Sequence, residues 1–280
     1  KSFRLDGMIC VSKVLEQQLL KSKYASKVKI KRIPYGVIIP DSKAKRDDNT
    51  FRVIYVGRLA EQQKRISEVT RSFCEMTQKI SGVEAIIYGD GPDKINVENI
   101  LNQQQKTIAV SLGGNIRPEQ MIDKLLKAHV IVLLSDYEGL PISILEAMAF
   151  GVVPVCLHMR SGITELIENG KTGCIVDDRD EHFIETIKRL KADNQIWEQM
   201  SLNAKQLVTE NFSLDISCNS YSLFFNDFKI NRIQDITIPT RFKLPKIHQD
   251  LSRADTRRPK FNFNQLKISL GRYKHKLFSK

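Results

Sequence analysis

The stretch HVIVLLSDYEGLPISILEAMAFGVVPV, residues 129–155, decides the fold of this chain. Its apolar, β-branched start at 130–134 is too short to span a membrane and is typical of a buried strand. After the polar loop 135–140, Pro141 stands in the first turn of a helix with apolar residues at helical spacing, which Gly151 ends. A second apolar run, 152–155, follows at once. This order predicts a right-handed crossover in a parallel sheet, with a ligand-binding loop at 135–140.

Two carboxylates mark that loop and its helix. Glu138 precedes the helix and Glu146 lies inside it, eight positions on. Exposed N–H groups and the dipole of the helix start suit a diphosphate. A carboxylate that accepts hydrogen bonds from two hydroxyls suits a ribose. The alternative is an ordinary amphipathic helix with a surface glutamate at each end.

The spacing of these glutamates, with Gly-Leu-Pro after the first, resembles the Glu-x7-Glu signature of retaining glycosyltransferases with the GT-B fold, in the large family 4 group. The resemblance implies that Glu146 holds the ribose hydroxyls of a nucleotide and that Glu138 lies beside the donor sugar. It also implies that the amides of Gly139 and Leu140, with the helix start at Pro141, face the donor.

A second motif, Gly57-Arg58-Leu59, follows a predicted strand at 51–56. A glycine there lets backbone approach a ligand closely, and an arginine offers a planar fork for phosphate. Lys64 comes six residues later, and the resemblance implies that Arg58 and Lys64 are the two cations on the donor diphosphate. The alternative for Lys64 is a solvated charge. One departure from the family is Arg65, where glycine is usual, and it leaves the course of this loop open.

Two further turns complete the predicted site. The turn Gly89–Pro92 follows a strand at 83–88 and is only half of a dinucleotide fingerprint, but it matches the G-x-G-P turn of the resembling family. A strand at 107–112 brings Leu112 to a place where that family contacts the base or ribose. The resemblance thus implies a catalytic set of Arg58, Lys64 and Glu138, and a donor-binding set of Gly57, Gly89, Gly91, Leu112, Gly139, Leu140, Pro141 and Glu146.

The alternation of strands and helices predicts an α/β, doubly wound, Rossmann-like parallel sheet, which the resemblance makes the donor half of a GT-B fold. Predicted helices include 66–80, 118–127, 181–191, 195–210 and 213–227, and Ser12 is a predicted N-cap. We expect residues 1–40 to be a remnant of the N-terminal, acceptor-side domain, residues 41–228 the nucleotide-sugar domain, and 43–50 an exposed linker. The chain begins at Lys1 in the middle of a pattern, so we expect a fragment that binds donor and turns over poorly.

Charge separates residues 229–280 from the rest. This basic tail has 14 basic and 3 acidic residues and carries almost all of the chain's net charge of +12. Apolar and basic residues alternate at roughly helical spacing over 261–280, a pattern that is compatible with an anionic membrane surface as a partner. The alternatives are a flexible basic tail and a segment that packs on the N-terminal domain. Few aromatic residues lie among the tail's charges before Phe261, so no nucleic-acid partner is expected. The five scattered cysteines predict reduced, buried thiols and a cytoplasmic setting. A membrane-binding tail would make this setting peripheral on the inner membrane face.

The family resemblance implies an enzyme that moves a sugar from a nucleotide-diphosphate sugar to a hydroxyl acceptor, a glycan, polysaccharide or lipid-linked glycan, with retained configuration. No cofactor or metal is expected, because Arg58, Lys64 and the helix start can neutralise the leaving diphosphate, and the histidines show no ligand spacing. Two alternatives stay open. One is a non-catalytic nucleotide-sugar-binding or scaffold module. The other is a different GT-B enzyme, such as a sugar-nucleotide epimerase or a phosphorylase.

Overall fold

The computed structural model describes residues 5–23, 25–26, 28–46, 49–104, 108–159 and 161–228. The predicted membrane-binding stretch 261–280 lies outside these residues. The strands are β1 (Gly7–Cys10), β2 (Lys29–Arg32), β3 (Phe51–Val56), β4 (Val83–Tyr88), β5 (Val110–Gly114), β6 (Val130–Leu133), β7 (Val153–Leu157) and β8 (Cys174–Val176). The helices are α1 (Lys13–Leu20), α2 (Glu61–Lys64), α3 (Ile66–Lys79), α4 (Lys94–Gln103), α5 (Pro118–Lys127), α6 (Ile142–Ala149), α7 (Glu181–Ala192), α8 (Asn194–Asn211) and α9 (Leu214–Asn226), with a 3-10 turn at Gly162–Glu165.

The main sheet has the strand order β5-β4-β3-β6-β7-β8, and all of its pairs are parallel. This is the strand order of a dinucleotide-binding fold. The order in which successive strands are added to the sheet reverses between β3 and β6. The predicted doubly wound α/β sheet is confirmed. Every residue of β6 and β7 is buried, as expected for central parallel strands that helices cover on both faces.

The decisive stretch folds as predicted, with one shift. Strand β6, helix α6 and strand β7 follow one another, and Gly151 ends the helix with a φ of +74°. Pro141, predicted in the first turn, is the N-cap residue instead, and the helix starts at Ile142. Proline is tolerated at either position because neither uses the N–H group that proline lacks.

A buried aromatic group anchors the start of β6 to the helices behind the sheet. The ring of His129 stacks on Phe51 with centroids 4.9 Å apart, and its Nδ1 accepts a hydrogen bond from the Arg52 amide. Trp197 of α8 is fully buried and donates from its indole N–H to the His129 carbonyl over 2.9 Å. His129 therefore has a structural role, as its place at a strand start predicted.

The N-terminal residues form a separate, two-stranded parallel sheet of β1 and β2. Ser12 caps α1 by accepting a hydrogen bond from the Leu15 amide, as predicted. The C-terminal helix α9 returns to this sheet, where a Cβ on Gly7 would lie 2.7 Å from the ring of Phe224. The domain boundary at residues 40 and 41 stays a prediction.

Three expectations about local structure were wrong, and one helix was missed. The stretch 43–50 is not simply exposed, because Ala44 is fully buried and Arg46 donates to carbonyls at the end of α7, which lack helical partners. Strand β5 runs to Gly114 and does not stop at Leu112. Helix α4 was not predicted, since few of its residues are apolar. Of the five cysteines, Cys218 is exposed.

None of the described helices is long and apolar enough to cross a membrane.

Candidate active site

The carboxyl ends of β3, β4 and β6 meet at one edge of the sheet, and the order of the strands reverses there, between β3 and β6. Ligands bind at this edge in doubly wound folds. The loops 57–60, 89–93 and 135–140 all begin there, so the topology brings together the motifs that the sequence singled out. Two sides of this edge are built differently. We call 57–59 with 89–91 the glycine side, and 63–65 with 135–140 the ion-paired side.

On the glycine side, two loops pack backbone against backbone. Gly89 has a φ of +144°, and a Cβ there would lie only 1.9 Å from the Gly57 carbonyl oxygen. A Cβ on Gly91 would lie 2.3 Å from the Leu59 carbonyl oxygen. The Leu59 amide donates to the Asp90 carbonyl over 3.0 Å. Gly89 and Gly91 therefore have a structural reason to be glycine, besides any contact with a ligand.

This packing fixes the backbone of Arg58 and leaves its side chain exposed. The buried Tyr55 hydroxyl donates to the Arg58 carbonyl over 2.9 Å. Burial, and to a lesser degree the charge of Glu138, raises the pKa of the Tyr55 phenol, so it stays a neutral donor. With Gly57, Gly89 and other residues, Arg58 lines a cavity of about 350 Å³. Arg58 forms no ion pair with any residue in the described ranges.

A larger cavity, of about 880 Å³, continues from the first and is mainly apolar. The two share Val56, Ile116 and Met121. Glu146 lies on the wall of the larger cavity. Partial burial removes water from its carboxylate and so raises the pKa of the carboxyl, although part of the side chain is exposed. The structure thus sets one carboxylate beside an apolar space suited to a flat ring and its attached sugar.

Leu112 lines neither of these cavities. The residues of that region that do line them come slightly later in the chain, Asn115 in the smaller cavity and Ile116 in both. Strand β5 ends at Gly114, two residues later than predicted, so the turn after it also falls two residues further on. Extending the alternating pattern of β5 through its two glycines would have located these residues.

On the ion-paired side, Lys64 and Glu138 are partners. Lys64 Nζ lies 2.5 Å from Glu138 Oε1, and the side chains are 15% and 8% exposed. Two further hydrogen bonds join the same segments. The Asp136 backbone amide donates to the Gln63 carbonyl (3.0 Å), and the Gln63 side-chain amide donates to the Tyr137 carbonyl (2.8 Å). The predicted catalytic cation and carboxylate therefore contact each other directly.

Arg65 has a left-handed conformation, with φ 50° and ψ 44°, and is the single non-glycine residue of positive φ in the described ranges. This conformation explains why the resembling family usually has glycine here. The Arg65 side chain pairs with Asp136 over 2.5 Å, and Arg179 also donates to Asp136. Burial acts to raise the pKa of the Asp136 carboxyl, but hydrogen bonds from both arginines outweigh it and hold the pKa below its ordinary range. Sequence patterns gave no signal for Asp136 or Arg179.

The backbone between Glu138 and α6 offers free donors. The N–H groups of Gly139 and Leu140 make no hydrogen bond within the described part of the chain. No side chain caps the first turn of α6. The Gly139 carbonyl accepts from the Gly162 amide over 2.8 Å, which holds this loop against the 3-10 turn. An uncapped helix start with free amides beside it suits an anion.

Glu165, at the end of the 3-10 turn, links the N-terminal residues to this edge of the main sheet. The sequence did not single out this residue. One carboxylate oxygen of this nearly buried side chain accepts from the Lys13 amide at the start of α1, and the other pairs with Arg32 over 2.5 Å. No group of three His, Cys, Asp or Glu residues suited to a metal ion occurs among the described residues.

The chain is similar to known proteins in sequence and in fold. The sequence model of a family described as "Glycosyl transferases group 1" matches residues 40–207, more than half of the chain. The chain is 31% identical over 163 residues to an alpha-D-kanosaminyltransferase from Streptomyces kanamyceticus, covering 58% of this chain and 42% of that protein. It is 25% identical over 245 residues to a UDP-Gal:alpha-D-GlcNAc-diphosphoundecaprenol alpha-1,3-galactosyltransferase from Escherichia coli, covering 80% of this chain and 61% of that protein.

A solved structure shows the same fold. The crystal structure of a TarM variant from S. aureus, in complex with fondaparinux, alpha-GlcNAc-glycerol and UDP, superposes with a TM-score of 0.68 at 21% identity. The match covers 79% of this chain and 44% of TarM. The chain thus spans less than half of the kanosaminyltransferase and of TarM.

Proposed function

The chain belongs to the glycosyl transferases group 1 family, and from this premise we propose that it supplies the donor site of a retaining glycosyltransferase. The donor is a nucleotide-diphosphate sugar, and the acceptor is a hydroxyl of a glycan or lipid-linked glycan. The names of two relatives, which include UDP-Gal and a diphosphoundecaprenol-linked sugar in one case and a glycosyl transfer in the other, support this class of substrates.

One observation carries the proposal. The cation Arg58, which has no ion pair among the described residues, the free amides of Gly139 and Leu140, and the carboxylate of Glu146 stand around one edge of the sheet. Arg58 and the amides suit a diphosphate, because charged hydrogen bonds to phosphate oxygens are strong. Glu146 suits the two ribose hydroxyls, and the apolar wall formed by Ile116 and its neighbours suits the base.

The transfer exchanges one bond for another at the anomeric carbon of the sugar. The bond from that carbon to the diphosphate oxygen breaks, and a bond to the acceptor oxygen forms on the same face. The acceptor proton passes to the departing phosphate oxygen, so the charges and atoms balance. Arg58 and Lys64 stabilise the negative charge that develops on the phosphate, while Glu138 positions the sugar. No resident metal or cofactor is needed for these steps.

We assign the acceptor site to the side of the N-terminal sheet, which Glu165 joins to the donor edge. We also propose that the enzyme acts in the cytoplasm at the inner membrane face, with 261–280 on the anionic surface.

Calorimetric titration with UDP-, GDP- and ADP-sugars tests the proposal. We expect one nucleotide to bind selectively, and Glu146→Ala to weaken its affinity by about tenfold or more, through loss of charged hydrogen bonds to ribose. Glu98→Ala, on the outer helix α4, is the matched control and should leave the affinity unchanged. Absence of binding by the folded chain, or equal effects of the two substitutions, would contradict the proposal.

A further inference from the structure

The ion pair between Lys64 and Glu138 affects how tightly the site binds the sugar-nucleotide donor relative to the nucleoside diphosphate product. Lys64 is the one cation within ion-pairing distance of Glu138 among the described residues, and both side chains are largely buried. The charge of Glu138 also helps to raise the pKa values of the Tyr55 phenol and the Cys156 thiol, which are both neutral or anionic groups. Neither is a cation, so the Glu138 carboxylate depends on Lys64.

A diphosphate bound as proposed competes with Glu138 for that same lysine. When Lys64 turns towards phosphate, Glu138 is left in a buried position without a full partner, and a buried carboxylate without a partner is costly. The intact donor offers a remedy, because the hydroxyls of its sugar can donate hydrogen bonds to the carboxylate. The nucleoside diphosphate that remains after transfer has no such hydroxyls.

We infer that Glu138 selects against the nucleoside diphosphate product and thereby favours its release, in addition to positioning the sugar. This inference rests on the proposed function. Because Arg58 shares its charge with no carboxylate among the described residues, it attracts donor and product alike. Lys64 attracts the product less, because Glu138 retains part of its charge. The glutamate thus sets the ratio of the two affinities.

The test uses a substitution that is expected to improve binding. Glu138→Gln removes the negative charge and keeps the shape of the side chain. Titration of this chain with the nucleoside diphosphate should show about three- to tenfold tighter binding than wild type, the range expected when one close charge pair is altered. The corresponding sugar nucleotide should gain less or lose affinity, so that the preference for donor over product falls.

Two controls separate charge sharing from other effects, and a second substitution replaces Glu138→Gln if that variant does not fold. In a Lys64→Gln background, Glu138→Gln should change the affinity for the nucleoside diphosphate by less than about twofold, because the contested charge is gone. Glu68→Gln removes a negative charge from α3 that pairs with Arg179 and should have a similarly small effect. Should Glu138→Gln fail to fold, Glu138→Asp withdraws the carboxylate from Lys64 and should change the affinity in the same direction.

The outcomes distinguish this inference from the proposed function. Unchanged or weaker product binding by folded Glu138→Gln, or an equal gain without Lys64, would overturn the inference while the donor site stands. A wild-type chain that binds neither nucleotide would overturn both.

Discussion

The two sides of the site hold their cations in opposite ways. On the glycine side, contacts between backbones fix the loops, and Arg58 forms no ion pair with a described residue. On the ion-paired side, side-chain charges connect the loops, and Lys64 is bound to Glu138. The sequence presents Arg58 and Lys64 as two equivalent cations for a diphosphate. The structure shows one cation that is available for an anion and one that is already partnered, so we expect the two to differ in their contribution to stability.

The largest effect expected from breaking this contrast is on the glycine side. Gly89→Ala places a Cβ 1.9 Å from a backbone oxygen at a positive φ, so both strain and overpacking oppose folding. We expect the free energy of unfolding in urea to fall by about 3 kcal/mol or more. Gly170→Ala, with a φ of +80° and open space at the Cβ, is the control and should cost only about 1 kcal/mol. Equal losses would show that contact with Gly57 is not what requires glycine.

A smaller effect is expected on the ion-paired side. Lys64→Met leaves the nearly buried Glu138 carboxylate without its partner, and we expect the free energy of unfolding to fall by about 2 kcal/mol. Arg58→Met should change it by less than about 0.5 kcal/mol, because Arg58 is exposed. The double variant Lys64→Met with Glu138→Gln should regain much of the loss. Similar stability of the Lys64 and Arg58 variants would remove the distinction between the two sides.

Arg65 allows a finer comparison of the two sides. Its backbone has a positive φ, as Gly89 has on the glycine side, but the residue is not a glycine. A left-handed backbone costs a residue with a Cβ about 1–2 kcal/mol. Arg65→Gly and Arg65→Ala both lose the contact with Asp136, but only the glycine variant relieves the backbone. We therefore expect Arg65→Gly to be more stable than Arg65→Ala by about 1 kcal/mol in urea unfolding. The reverse order would mean that the left-handed conformation carries no strain.

The smallest effect concerns the pH dependence of the ion-paired side. The folded pKa of Asp136 lies below its ordinary value of 3.8, so its contribution to stability is complete well above that value and disappears as the pH falls through the folded pKa. Asp136→Asn should lower the free energy of unfolding at neutral pH by at most about 1 kcal/mol, because the carboxylate is partly exposed. The difference from wild type should vanish under acid conditions, as measured by urea unfolding at a series of pH values. A difference that persists at acid pH would show that Asp136 acts without its charge.

The sequence predicts the fold well because its strands are buried apolar runs and its helices have clear periodicity. Gly151 ended a helix and Ser12 began one as predicted. Helix α4 escaped prediction because only Val97 and Ile100 are buried in it. The sequence predicts an end of strand β5 at Leu112, before two consecutive glycines, whereas Gly114 still pairs with Tyr88 in the sheet.

The candidate site was predicted by motif and not by contact. The roles of its residues remain predictions, but their convergence on one edge follows from the parallel topology. The pairing of Lys64 with Glu138 joins residues 74 positions apart, and that of Asp136 with Arg179 joins residues 43 apart. No local periodicity reports such pairs, because they depend on how two crossovers pack in three dimensions.

The buried indole of Trp197 is an intrinsic fluorescent probe of folding. It is the chain's only tryptophan, so its fluorescence emission comes from one site, blue-shifted in the folded core and red-shifted once water reaches the ring. The indole contacts the beginning of β6, whereas the ligand loop follows the other end of that strand, roughly 13 Å away at the usual rise of a strand. The emission wavelength therefore reports unfolding from a position away from the ligand loop, and it can rank the stability of the variants proposed in this Discussion.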